Sequence, residues 1–172
     1  MQETPREYQQ RILGNVAGQK PEKIQAESAK RIEKLVRGVT ASRLAKQPAP
    51  GKWSVAEILA HLADTEVVVG WRMRSILGAP GTQVQAYDQD AWAAAMNYAK
   101  RPAKDSLAAF RALREHNLAL LKSLPREKWQ LSGMHAERGE ESIEMIVSLI
   151  AGHDVNHIRQ IEAILNPKAS RK

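Results

Sequence analysis

Two histidines, His153 and His157, stand one helical turn apart in AGHDVNHIRQI, residues 151–161, a spacing that sends both imidazoles out of the same helix face. On a helical wheel centred on His153, residues Ile146, Leu149, Ile150, Ile161 and Ile164 fall within roughly 80° of it, as His157 does. The pair occupies an apolar stripe where a core would hold leucine. One buried polar group without a partner costs about 1–3 kcal/mol, so two together require something that collects both ring nitrogens. A metal ion does this, and Gln160 shares the face. A third histidine, His61, flanks the apolar stripe Ile58, Leu62, Val69 and Ile76 of an earlier helix. Alone it reads as a half-buried histidine whose second nitrogen is held by Asp64 or Thr65. If the two helices are neighbours, the three imidazoles make a ligand set with positions left open, which suits reaction chemistry rather than a closed structural site.

Other chemistry is excluded or explained away. The chain has no cysteine, which removes disulfides, thiolate ligands and a cysteine nucleophile. HDVNH differs from the HExxH of zinc proteases, since Asp154 is shorter than glutamate and no further ligand follows in the usual way. Glu57 lies one turn before His61, but Ser54 and Glu57 form a capping box, and that role accounts for the carboxylate. Arg114 and Asn117 intrude on an apolar stripe, and a buried arginine needs an anion. An internal ion pair with Asp64 or Asp154 is the simpler reading; a handle for an anionic substrate is the alternative. His135, in an irregular connection, is a loop histidine within reach of a site.

The elements that must position these residues are helical throughout, with no convincing strand alternation, so the chain is all-α. Thr4–Glu7 caps a short N-terminal lead-in, residues 1–20, and Pro21 opens a longer helix carrying Ile24, Ser28, Ile32 and Leu35. The best-punctuated helix runs from Trp53 to about Leu77, with Trp53 stapled on Ile58. Residues 77–90 form a long connection that crosses the bundle, followed by a short helix capped by Asp88 or Asp90. A helix over 104–124 carries Leu107, Phe110, Leu113, Leu121 and Leu124. Residues 125–141 are irregular, with Trp129 and Met134 over the bundle end, and the last helix starts between Glu140 and Ser142 and stops at Asn166-Pro167.

At 172 residues the chain is expected to form one domain, residues 1–172. It has no apolar run long enough for a membrane and no signal-peptide core, so a cytoplasmic location is expected. Its net charge is +7, which raises the question of nucleic acid. Yet the excess lies on Lys20–Lys46, with eight Lys/Arg against three Glu, and in a flexible basic tail, residues 167–172. Neither stretch interleaves aromatics with the cations, so nucleic acid is disfavoured.

KWSVAEILAHLADTE (52–66), GMHAERGEES (133–142) and AGHDVNHIRQIEAI (151–164) together resemble the DinB-like superfamily, over almost the whole chain. These are bacterial damage-inducible proteins, distinct from the DNA polymerase that shares the name. The resemblance implies a four-helix bundle with an up-down-down-up path, often dimeric, and a divalent metal on His61, His153 and His157. Members of assigned activity include bacillithiol-type thiol transferases and a mycothiol-dependent maleylpyruvate isomerase. The expectation is therefore a metal-dependent enzyme, transferase-like or hydrolase-like, that activates a water or a low-molecular-weight thiol against a small-molecule substrate. Zinc or nickel suits the imidazoles, and Gln160, Asp64, Thr65 and His135 are candidates to support them. A non-catalytic stress-response or binding module with a structural ion or none is the alternative.

Overall fold

The computed structural model describes residues 3–167; the basic tail lies outside them except for its first residue, Pro167. Seven α-helices are present among the described residues: α1 (Pro5–Gly14), α2 (Pro21–Val36), α3 (Ala41–Ala45), α4 (Val55–Gly78), α5 (Gln89–Ala95), α6 (Ala103–Ser123) and α7 (Ile143–Leu165). Local chemistry sets their starts. Capping boxes open α1 at Thr4/Glu7 and α4 at Ser54/Glu57, while Pro21 is the first residue of α2. Asp88 and Ser142 accept the first free N–H groups of α5 and α7.

Helices α2, α4, α6 and α7 make the bundle, and cross-helix contacts give their directions. Gln25 donates to the Val147 carbonyl at 2.7 Å and Arg31 pairs with Glu162 at 2.8 Å, so α2 and α7 run parallel. Phe110 packs with Ile58 and Leu59, and Leu121 with Met73 and Ile76, so α4 and α6 are also parallel. The path is up-down-down-up. Because α6 must begin at the same end as α4, the chain has to return along the bundle. Residues 79–102 do this, with α5 and a 3₁₀ turn at Tyr98–Lys100 on the way.

A small sheet departs from the all-helical expectation. Strands β2 (Ser132–His135) and β3 (Gly139–Ser142) form an antiparallel hairpin, and β1 (Gln83–Val84) of the crossover adds to β2 in parallel. The last helix therefore starts after Glu140–Ser142, which are strand residues. Gly133 permits the junction: a Cβ there would stand 2.7 Å from Val84 Cγ2 and 2.9 Å from the Thr82 carbonyl oxygen. Trp129 is buried at the bundle end as expected, whereas Met134 is exposed.

The core is split by a polar layer. One apolar cluster centres on Ile32, Ile58, Leu62, Phe110 and Ile161, the other on Met73, Ile76, Leu121, Ile143 and Ile146. Between them Arg114, 2% exposed, binds both oxygens of Asp154 at 2.5 and 3.0 Å, Glu66 at 2.8 Å and the Gln25 carbonyl at 3.0 Å. The expected internal ion pair is present with Asp154, and Glu66 joins it. Asp64 does not, being bound to Arg101 at 2.7 Å. Burial works against the Arg114 charge, but Asp154 and Glu66 outweigh it and raise its pKa above the ordinary value. Arg114→Met leaves two buried carboxylates without a cation and should cost about 3–5 kcal/mol. Urea denaturation measures this, and a loss below about 1 kcal/mol would show that the layer tolerates the unpaired acids.

Candidate metal centre

Helices α4 and α7 run antiparallel and bring His61 against His153 and His157, all three 7% exposed or less. The capping box at Ser54/Glu57 sets where α4 begins, and Trp53 packs against the His61 ring with centroids 5.0 Å apart. His61 Nε2 is 2.9 Å from His153 Nε2, which is 3.1 Å from His157 Nε2. One ring nitrogen from each residue can be chosen so that all lie within 4.8 Å.

Hydrogen bonds alone do not satisfy this arrangement. His157 Nδ1 donates to Gln160 Oε1 at 2.9 Å, which leaves its Nε2 as a lone pair directed at His153. The buried Nδ1 atoms of His61 and His153 have no partner at all, so neither Asp64 nor Thr65 holds the second nitrogen of His61. Burial pushes the pKa of His61 down to about 3, with His157 adding to the effect. Burial likewise takes His157 down to about 4 against the opposing pull of Gln160 and Asp154, and holds His153 well below its ordinary value. Three neutral imidazoles with converging lone pairs form the donor set of a divalent ion. Nitrogens bound at about 2.0–2.1 Å to a tetrahedral ion stand about 3.3 Å apart, close to the spacings here. The residues fit a metal.

Two cavities reach the cluster. His61 and His153 line one of about 310 Å³, together with Tyr8 of α1, Thr65, Arg72 and Tyr87. His157 and Gln160 line a second of about 260 Å³. Tyr8 and Gln89 border both, so α1 and the crossover cover the site between them. The crossover is thus part of the cavity wall as well as a connection. Thr65 Oγ1 lies 3.2 Å from the Tyr87 hydroxyl. His135 ends β2, buried, with Nδ1 accepting from the Glu137 N–H at 3.2 Å; burial lowers its pKa to about 4, and it does not belong to the histidine cluster. Arg72, Tyr87 and Tyr8 were not anticipated. Arg72 shares the His61 face of α4, at positions i, i+4, i+7 and i+11, a signal present in the sequence. Tyr87 carried none.

Helix α1 is docked one residue before His153. A Cβ on Gly152 would collide with the Ile12 carbonyl oxygen, and Asn15 Nδ2 donates to the Gly152 carbonyl at 3.2 Å.

An up-down-down-up bundle with three buried imidazoles converging from facing helices is the class that fold and site define. The chain belongs to the DinB superfamily, whose sequence pattern matches residues 26–161. It is similar to a protein of Oceanobacillus iheyensis named "Putative metal-dependent hydrolase", 25% identical over 136 residues, 79% of this chain and 78% of the relative. A protein of the same name from Halalkalibacterium halodurans is 25% identical over 135 residues, 78% of each chain. YfiT from Bacillus subtilis, described as "a probable metal-dependent hydrolase with an unusual four-helix bundle topology", superposes with a TM-score of 0.75 over 83% of both chains. At 22% identity that likeness is one of fold.

Two outcomes follow from the packing. An imidazole whose folded pKa lies below its unfolded value near 6.5 refuses protons that the unfolded chain accepts, so stability falls on acidification. Metal-free protein should lose up to about 1.4 kcal/mol per pH unit for each such histidine between about pH 6.5 and 5, before most carboxylates titrate. Urea midpoints across that range check it, and a flat profile would mean solvated imidazoles. Gly152→Ala should loosen α1 while the bundle stays folded, seen as faster amide exchange over residues 5–14; unchanged exchange there would show that the contact relaxes freely.

Proposed function

We propose that this protein is a metal-dependent hydrolase of a small molecule, with its ion held by His61, His153 and His157. The observation that carries the reading is the convergence of three neutral Nε2 atoms, at 2.9 and 3.1 Å, on the wall of a cavity large enough for a small substrate. The names borne by the relatives point the same way. Zinc or nickel suits an all-imidazole set. When bound, such an ion supplies Lewis acidity, lowering the pKa of a water toward neutrality and polarising a carbonyl or phosphoryl oxygen.

The chain's own residues provide the rest. Gln160 fixes the His157 tautomer so that Nε2 keeps its lone pair. Trp53 packs against the His61 ring and restricts its rotation. Of the Thr65 and Tyr87 hydroxyls, one donates to the other and the remaining proton is free for an acceptor oxygen of the substrate. Burial raises the pKa of Tyr87, which keeps that proton in place at neutral pH. Neither cysteine, serine nor lysine is among the described residues that line the cavity, and the Thr65 hydroxyl is engaged with Tyr87 and hydrogen-bonded to no base, so water is the nucleophile that the site favours.

Metal analysis of untagged protein purified without chelators should find about one ion per chain, and His153→Ala/His157→Ala should abolish it. Hydrolysis of a panel of esters and amides should follow the metal content and stop on chelation. A native protein that takes up no metal on resupply would overturn the reading. Turnover that requires an added low-molecular-weight thiol would replace the hydrolase with a thiol transferase at the same site.

A further inference from the structure

Arg72 is a buried cation with no counter-ion. It follows His61 by eleven residues on α4, three turns along the same face and about 16 Å further down the axis. Its side chain lines the larger cavity and the residue is only 8% exposed. Among the described residues no carboxylate oxygen comes within 4.0 Å of it. The other arginine buried this deeply, Arg114, holds two carboxylates. Arg72 makes one hydrogen bond, from Nη2 to the Gln85 carbonyl at 2.5 Å, and its buried Nε has no acceptor. The guanidinium lies 5.9 Å from the centre of the Tyr87 ring.

Its surroundings compensate its charge only in part, and burial outweighs them. Burial lowers the pKa of Arg72, and the guanidinium of Arg138 adds to the effect. Glu141 pulls the other way but is committed to Arg138 by contacts of 2.5 and 3.0 Å. Glu3 and Glu137 also line this cavity, but Glu3 is held by Arg11 at 2.8 Å, and Glu137, whose charge favours the guanidinium, is exposed and makes no ion pair with it. Tying down the Gln85 carbonyl requires a neutral donor and no charge. A buried, unpaired guanidinium in a cavity wall is costly unless an anion arrives there.

We propose that Arg72 binds an anionic group of the substrate, a carboxylate or a phosphoryl group, at the end of the cavity away from His61. Apolar Val68, Val69, Leu149 and Ile150 line the space with it. The substrate class is accordingly a small molecule with an apolar body and an anionic end. This names the substrate of the hydrolase reading and rests on it for the reaction, though anion binding is measurable without any metal.

Calorimetric titration of chelator-treated protein with 3-phenylpropionate, phenylphosphonate and the neutral 3-phenylpropionamide tests it. With metal absent, the ion cannot serve as the anion receptor. At least one acid should bind about tenfold more tightly than the amide or better, and the tighter acid tells carboxylate from phosphoryl. Arg72→Gln should remove that preference and leave the amide unchanged, while Arg72→Lys should retain part of it. Equal affinity for acids and amide, or no binding of either acid at millimolar concentration, overturns the proposal even if Arg72→Gln does not fold. Acid binding by a protein that takes up no metal would leave this subsite standing and remove the hydrolase.

Discussion

Arg114 is attached to all three of the other bundle helices at once, through Gln25 on α2, Glu66 on α4 and Asp154 on α7. Apolar packing tolerates a helix sliding or turning by part of a residue, because any aliphatic surface fits another tolerably. A bidentate guanidinium–carboxylate pair does not, since its partners must meet in one plane. Asp154 directly follows His153, and Glu66 directly follows Thr65. Fixing those carboxylates therefore fixes the rotation of α7 and α4, and with it the direction in which the neighbouring imidazoles and the Thr65 hydroxyl leave the helices.

Such a layer has an energetic drawback. Removing an arginine and two carboxylates from water opposes folding unless every donor and acceptor is matched, and an apolar layer of the same volume is often as stable. Arg114 Nε lacks a partner, so the matching is incomplete. The layer is better understood as setting register beside a site whose three imidazoles also resist burial. Polar residues in the middle of this core serve geometry first, and the two flanking apolar clusters supply the stability.

The parts of this arrangement that were readable from the sequence are those written into a single helix. The His153/His157 spacing, the Ser54/Glu57 cap and the intrusion of Arg114 on an apolar stripe are all local patterns: the two imidazoles share one buried face, the box caps α4, and Arg114 meets an aspartate. What could not be read depends on which distant segments meet. Arg114 could be seen to need an anion, but two aspartates were equal candidates until the fold set α7 across the bundle from α6, within reach of its long side chain. The hairpin at 132–142 has too little apolar alternation to announce strands, and its third strand comes from Gln83–Val84 on the crossover. Support for the histidines divides in the same way. Gln160 lies one turn from His157 and reaches it, whereas Asp64 and Thr65, equally close to His61 in sequence, are taken by Arg101 and Tyr87.

The cover of the site follows a different logic from its floor. The histidines stand on the two longest helices, whose rotation is fixed by the charge layer, while the space above them is closed by α1 and the crossover. Helix α1 is attached through buried Ile12 and Val16, the glycine-permitted approach at Gly152 and the Asn15 bond to its carbonyl, and the crossover through the pairing of β1 with β2, buried Val84 and Tyr98, and the Arg72 bond to Gln85. The ligand set and its cover are thus built from different parts of the chain, and the cavities that reach the imidazoles lie where the two meet. Because Arg72 belongs to both the cavity wall and the cover's attachment, an anion that takes up its free donors also acts on one of the residues that tie the crossover to α4.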